Sequence, residues 1–566
     1  MRFSRAARAV VVVVAGLLVA GCAGLPTVGP VNVGLSLEDD LPDFEPNQIA
    51  AGPADRASPE DIVAGFLEAG VTPTDSWGTA RMFLTPEFAE EWHADTGVTI
   101  DSSLSSRSFV PDADIDEAAG TVDVTVTLEQ IAGVDDTGAY APAPGTAKSS
   151  FHLVLDGDDQ WRISEAPDGI FLDVASFGQV YDEHVLQYFD STWSRLVPDI
   201  RWFPRRTSMA TSITQALVNG QPSPWLAPAV RTAFTGDIEL ARDAVPVDPS
   251  QVAEVALSRA ALSAQPVTLA RMRTQLEASL SGLGITEVRF TVDGTPLEAN
   301  LVDVEQPTPE PGVLVLTADS FGTAVGDQVT PVAGLTAEIA KIGEPIASID
   351  VAADAGRAAV QLGSGAVWGI SEGDRVELDR RAGLIAPSLD PYGYTWTVPG
   401  DAPTAMQAWD ADVTPFPIAQ AWPDASSISH LRVSTDGARV AALITVGGQR
   451  RIVVAGVIRD DQGAPTGLGD VHEIGRLSAP AQGLVWLGSD TVIALTGGDA
   501  PSAITQQVGG PATFVAAPSG VTSIAGARTM AWVRVLGADG VVYAQRGSSW
   551  QEVLSDVLVL GTHAGL

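Results

Sequence analysis

The sequence predicts a multidomain chain in which two α+β domains are followed by an all-β, propeller-like domain. Three observations predict it. At 566 residues the chain is long enough for three or four compact domains, each with its own core. Between residues 58 and 330 apolar residues recur with a helical period in some stretches and an alternating period in others. From about Pro331 the helical signals vanish, and short Val, Ala, Leu and Trp runs are set between Gly and Asp turns.

The first 57 residues read as a leader and a tether. Arg2, Arg5 and Arg8 form a positive segment, Ala9 to Ala20 an apolar run, and Val19-Ala20-Gly21-Cys22 closes it. This is the pattern of a secretory signal peptide, residues 1–21, ending in a bacterial lipobox. The predicted cleavage lies between Gly21 and Cys22, with a diacylglyceryl group carried on the Cys22 thiol. An ordinary signal peptide with a chance cysteine is the competing reading. The apolar run is shorter than the ~20 residues of a permanent span. Cys22 is the single cysteine, so an internal disulfide is excluded. Residues 22–57, with Leu25-Pro26, Gly29-Pro30 and Glu45-Pro46 and no sustained periodicity, read as a flexible tether.

Structure is expected to begin at Ser58-Pro59-Glu60-Asp61. A Ser N-cap, a Pro at the first helical position and two acids in the first turn suit a helix start. Ile62, Val63, Phe66 and Leu67 supply its apolar face, Ala80, Met82, Phe83 and Leu84 that of a second helix, and Phe88 and Trp92 follow Pro86 on a third. The period then changes to two. Arg107 to Val110, Thr121 to Leu128, Ser149 to Leu155 and Gln160 to Glu165 read as strands, with Asp156-Gly157-Asp158-Asp159 closing a hairpin. Helices on an antiparallel sheet over 58–175 are similar in outline to cystatin-like or nuclear-transport-factor-like folds.

Residues 176–330 read as a second α+β domain in the order β-β-α-β-α-β. Its strands start at Val185 to Phe189 and Leu196 to Trp202, and a helix from Ser208 carries Ile213, Ala216 and Leu217 to a glycine C-cap at Asn219-Gly220. A strand at Val252 to Leu257 precedes a longer helix after Pro266, with Leu269, Met272, Leu276, Leu280 and Leu283 at helical spacing. The strand Val288 to Val292 and the turn Asp293-Gly294 close the unit.

Residues 331–566 carry a weak repeat. Asp354, Asp390, Asp436, Asp490 and Asp539 each stand in a turn before an apolar strand, at intervals of about 36 to 54 residues, near the length of a propeller blade. Trp368, Trp396, Trp486 and Trp532 add about one tryptophan per unit. A β-sandwich is the alternative.

The chemistry is sparse. The formal charge of -38, with 70 acidic against 32 basic residues, argues against nucleic acid and anionic lipid surfaces as partners. Gly369-Ile370-Ser371-Glu372-Gly373 matches G-x-S-x-G, but Asp374-Arg375-Val376 leads into another strand-like stretch where a nucleophile elbow needs a helix. The six histidines, at 93, 152, 184, 430, 472 and 563, are dispersed with no metal-ligand spacing. Asp156 to Asp159 lacks the distal glutamate of an EF-hand. No catalytic residue, cofactor or metal is expected.

The lipobox, Ser58-Pro-Glu-Asp-Ile-Val-Ala-Gly-Phe-Leu67, Thr79-Ala-Arg-Met-Phe-Leu-Thr85 and Tyr188-Phe189 followed by Leu196-Val197-Pro198 occur in one order. Together with the C-terminal repeat they resemble the actinobacterial LpqB-type lipoproteins, and the middle unit resembles a GerMN domain. That resemblance implies an accessory protein of the MtrA-MtrB two-component system, lipid-anchored at the extracytoplasmic face of the cell membrane. Its implied partner is the extracytoplasmic domain of the sensor histidine kinase MtrB, and its implied setting is cell-wall homeostasis and division. A binding module for cell-wall glycan or peptide is the alternative expectation, and a propeller hydrolase the third.

Overall fold

Ser58 Oγ accepts a hydrogen bond from the Asp61 backbone N–H at 3.2 Å and starts helix α1, Pro59–Glu68, with Pro59 in its first turn. In the computed structural model, residues 50–112, 120–205, 208–234, 236–305, 312–326 and 328–564 are described. Signal residues 1–21, the lipobox and Cys22 lie outside the described residues, as does the tether up to residue 49.

Ile62, Val63, Phe66 and Leu67 of α1 are buried as their spacing predicts. Helix α2, Gly78–Arg81, and helix α3, Pro86–Glu91, follow, the latter capped by Thr85. Phe83 and Leu84 are buried, but Met82 is 57% exposed, because α2 is a single turn and cannot present a continuous apolar face. These helices pack on a six-stranded sheet of β1 (Gly97–Asp101), β2 (Ser108–Pro111), β3 (Thr121–Asp135), β4 (Tyr140–Leu155), β5 (Trp161–Glu165) and β6 (Ile170–Asp173), in the order β5-β4-β3-β1-β6 with β2 also paired to β3. Strands β3 and β4 are longer than their apolar alternation suggests, since Ala132 and Val134 continue the buried face past a register shift. Asp156 to Asp159 do close the β4–β5 hairpin, with Asp156 Oδ1 accepting from the N–H groups of Asp158 and Gln160, both at 2.9 Å. Residues 50–57, which composition assigns to the tether, lie against this unit: the Ala50 N–H donates to Thr72 Oγ1 at 3.3 Å and the Arg56 N–H to Gln160 Oε1 at 2.7 Å.

After α4 (Val174–Val180), β7 (Tyr181–Asp190) and β8 (Leu196–Pro204) form an antiparallel hairpin. Helix α5, Met209–Val218, buries Ile213 and Leu217. Its C-cap is Asn219 in right-handed helical conformation, so Gly220 is not the left-handed cap that the sequence suggests. Glycine is needed there for a different reason: a Cβ at residue 220 would stand 2.2 Å from the Ala216 carbonyl oxygen. A two-residue strand β9 (Val230–Arg231) extends the hairpin sheet. Then β10 (Val252–Ala256), α6 (Pro266–Leu280) and β11 (Glu287–Val292) make a parallel crossover closed by β12 (Thr295–Leu297). Leu269, Met272, Leu276 and Leu280 of α6 are buried in one core, and Leu283 is half-buried beside it.

Six sheets follow, spanning 313–331, 346–379, 388–417, 427–477, 481–516 and 521–554. Their innermost strands touch in sequence, and Val557–Leu560 completes the circle by pairing antiparallel with Val313–Thr317 and packing against Ile346–Val351. Thr562–His563 then add parallel to Ile346–Val351. The chain therefore forms a six-bladed, propeller-like ring in which Val557–Leu560 shares the first blade with Val313–Thr317, and the ring takes its first strand from Val313, ahead of Pro331. Helix Leu335–Ile339 interrupts the strands just after Pro331, because Leu335 and Ile339, one turn apart, fill the core below the first blades. The Asp repeat has a structural basis in four blades. Asp354, Asp390, Asp436 and Asp490 accept hydrogen bonds within the turn between first and second strands, whereas Asp539 does so between the second and third strands of the last blade. The tryptophans are not equivalent either: Trp368 lies on a third strand, Trp396 on a second, Trp486 on a first, and Trp532 in a 3-10 turn.

Candidate functional site

The β7–β8 hairpin feeds three cores at once. Leu186 and Tyr188 face the middle core, Ile200 and Trp202 join the first unit's core, and Val197 packs with Leu226, Ala229 and Ala438 at the ring. Its polar groups are matched to the same three neighbours. Asp199 accepts from Arg201 Nη2 at 2.8 Å and from Ser223 N and Oγ at 2.8 and 2.7 Å, and Arg201 Nη1 donates to Thr137 Oγ1 of the first unit at 2.6 Å. Trp202 Nε1 donates to the Gly509 carbonyl at 2.8 Å, and Gln507 Nε2 to Glu183 at 2.8 Å. Gly138 lets the first unit come close: at φ +82° it takes a left-handed conformation, and a Cβ there would stand 2.8 Å from the Trp202 carbonyl oxygen.

A second buried cluster pins the ring. Asp190 accepts hydrogen bonds from the Tyr392 hydroxyl and from the N–H groups of Ser194 and Arg195, the latter two at 2.7 Å. Burial pushes its carboxyl up, but hydrogen bonds from Thr192, Tyr392 and the neighbouring backbone outweigh that and leave it below the usual carboxylate range. The Tyr392 ring lies 4.0 Å from the Arg459 guanidinium, which pairs with buried Asp390 at 2.8 Å. Arg439, also buried, pairs with Asp436 and reaches the Pro198 carbonyl at 3.4 Å. With apolar contact and paired charges at both places, the three units belong to one compact unit over the described residues.

Where the units meet they leave a cleft of about 490 Å³. Tyr140 and Ala141 line it from the first unit, Asp199 and Trp225 from the middle unit, and Asp470 and His472 from the ring. Trp225 stacks on His472, with centroids 5.3 Å apart and planes 4° from parallel. Burial holds the His472 imidazole below its usual value, against the pull of Asp199, so it is neutral at pH 7. Burial pushes the Tyr140 phenol up to about 12, and it stays a protonated donor. Sequence reasoning did not single out these residues, which come from three distant segments. The one local signal is Trp225 in Pro222-Ser223-Pro224-Trp225, an aromatic in a proline-rich loop.

The other candidates resolve simply. Ser371 ends the strand Val367–Ser371 and turns through Glu372-Gly373 into the antiparallel strand Asp374–Asp379, so the G-x-S-x-G segment is a hairpin and not a strand-to-helix elbow. Among the described residues no group of three or more His, Cys, Asp or Glu side chains converges to hold a metal. No helix among them is long and apolar enough to cross a membrane. Gly21 and Cys22, the expected cleavage and lipidation residues, lie outside the described residues.

Three family models match in order along the chain. Residues 52–178 match the N-terminal domain of lipoprotein LpqB, residues 186–298 a domain described as sporulation and spore germination, and residues 319–558 the LpqB β-propeller domain. A lipoprotein LpqB of Streptomyces coelicolor is 28% identical over 81% of this chain and 80% of its own length. That of Streptomyces avermitilis is 26% identical over 95% of both, and that of Mycobacterium tuberculosis 26% identical over 81% of both. Three matching domains in the same order, with relatives of one name aligned over most of both chains, show that the chain belongs to the LpqB family of membrane-anchored lipoproteins.

Proposed function

We propose that the chain is an accessory protein held by a lipid on Cys22 at the extracytoplasmic face of the membrane, where it binds and modulates an MtrB-like sensor kinase in cell-wall and cell-division signalling. The observation that carries this reading is the packing of the β7–β8 hairpin into the cores of all three units. A partner touching any one of them meets a surface whose position is set by the other two, which suits a modulator of a membrane receptor. The role is recognition and not turnover, in keeping with the strand-turn-strand setting of Ser371. The charge of -38 directs the protein toward a basic patch on its partner, so association weakens as salt rises.

Crosslinking in intact membranes, read by mass spectrometry, tests the partner. Crosslinks are expected between the ring or first unit and the extracytoplasmic segment of the kinase. Their absence while the lipoprotein crosslinks to other membrane proteins would sink the reading. Cys22→Ala tests the anchor separately: palmitate incorporation should vanish and the protein should leave the membrane fraction, and unchanged labelling would overturn the Cys22 anchor.

A further inference from the structure

We propose that the cleft between the three units binds a neutral N-acetylated amino-sugar of one or two pyranose rings. At about 490 Å³ the cleft falls in the usual range of small-molecule sites. Its surface is mainly apolar, with Ala139, Ala141, Ile200 and Val508 among its walls, suited to the C–H face of a sugar ring and to an acetyl methyl. Four lining side chains make no side-chain hydrogen bond: the Tyr140 hydroxyl, the Trp225 indole N–H, the His472 imidazole and the Asp470 carboxylate. The first two offer donors, the third a donor and an acceptor, and the fourth acceptors alone. An occupant must therefore carry donors and acceptors together, as hydroxyls and an acetamide do, and a hydrocarbon would leave these groups unmatched.

Charge narrows the class further. Asp135, Asp199 and Asp470 line the cleft and no Lys or Arg side chain does, Arg201 behind it being held by Asp199. Phosphorylated or carboxylate-bearing ligands are disfavoured, and neutral ones fit. Because the walls come from three units, a bound sugar would tighten their joint arrangement by mass action.

The site stands apart from the kinase reading, and its test contains no kinase. The full-length lipoprotein in nanodiscs is titrated with N,N′-diacetylchitobiose, followed by tryptophan fluorescence and saturation-transfer NMR, with cellobiose as the ring-matched sugar lacking acetamides. Saturable binding in the millimolar range or tighter is expected, about tenfold weaker for cellobiose. Tyr140→Phe, which removes one hydroxyl, should weaken binding about threefold or more. Ala141→Trp fills the cleft from an exposed position and should abolish binding without moving the melting temperature. No saturation by about 10 mM overturns the proposal, as does binding that Ala141→Trp leaves intact. Equal binding of cellobiose overturns the acetamide assignment.

Discussion

Asp199 and Arg201 sit two residues apart on β8, so both side chains point to the same side of the strand, and they are buried together at the junction. Removing one partner strands the other. Arg201→Ala is expected to cost about 3 to 5 kcal/mol, read as a lowered denaturant midpoint, because the Asp199 carboxylate would keep only Ser223. A change near zero would show that water replaces the guanidinium. Two histidines give the fold a pH dependence. Burial first, with Arg432 adding to it, holds His430 down to about 4, and burial holds His563 at the same value, against 6.5 for the free group. Between pH 6.5 and about 4 the unfolded chain takes up protons that the fold refuses, so stability is present above 6.5 and falls as pH drops through that window. Melting temperature against pH should show the decline, and His430→Gln with His563→Gln should reduce it, leaving the smaller share of His184 and His472, which burial also holds below the usual value. Ser58, Pro59 and the apolar face of α1 were legible in the sequence because a cap and its first turn are local. Gly220 was misread because its need for glycine comes from crowding against Ala216 and not from its own dihedral angle.

Helix α6 shows how far an element can be read alone. Its stripe of Leu269, Met272, Leu276 and Leu280 points inward as spaced, and Leu276 is fully buried. Leu276→Asp would bury an unpaired charge at a cost of roughly 4 kcal/mol or more. The middle unit should become sensitive to limited proteolysis, and wild-type resistance would contradict that packing. Strand ends were less legible. Thr121 to Leu128 alternates cleanly, but β3 runs on to Asp135 through Gly133, where only pairing with β1 and β4 maintains the extended chain. Strands β1 and β6 were not found at all, being short and paired in parallel to each other across much intervening chain.

The ring as a whole depends on the returning strand Val557–Leu560. Val557, Val559 and Leu560 are buried where the chain returns to Val313–Thr317, and Asp350 of the second blade accepts from Leu389 N at 2.7 Å and Thr562 Oγ1 at 2.5 Å across neighbouring strands. Deleting residues 557–566 should remove on the order of 5 kcal/mol of apolar burial and expose the edge of the first blade. A lower melting temperature with self-association in sedimentation is the expected outcome. A monomer of native stability would mean that the ring does not rely on this closure.

The sequence by itself determined the class of architecture, the starts of α1, α3, α5 and α6, the buried faces of α1 and α6 and the turn chemistry of four ring blades, since each follows from periodicity or hydrogen bonds within a few residues; α4 and the helix Leu335–Ile339 carried no such signal. It also excluded a disulfide framework, with Cys22 as the single cysteine. Only the tertiary structure decided that Val557–Leu560 returns to the first blade, how the β7–β8 hairpin joins three cores, and that Tyr140, Trp225, Asp470 and His472 meet at one cleft. The reason is physical: a pairing or cavity made by segments hundreds of residues apart leaves no period in either segment, because what selects those side chains is a surface contributed by another part of the chain.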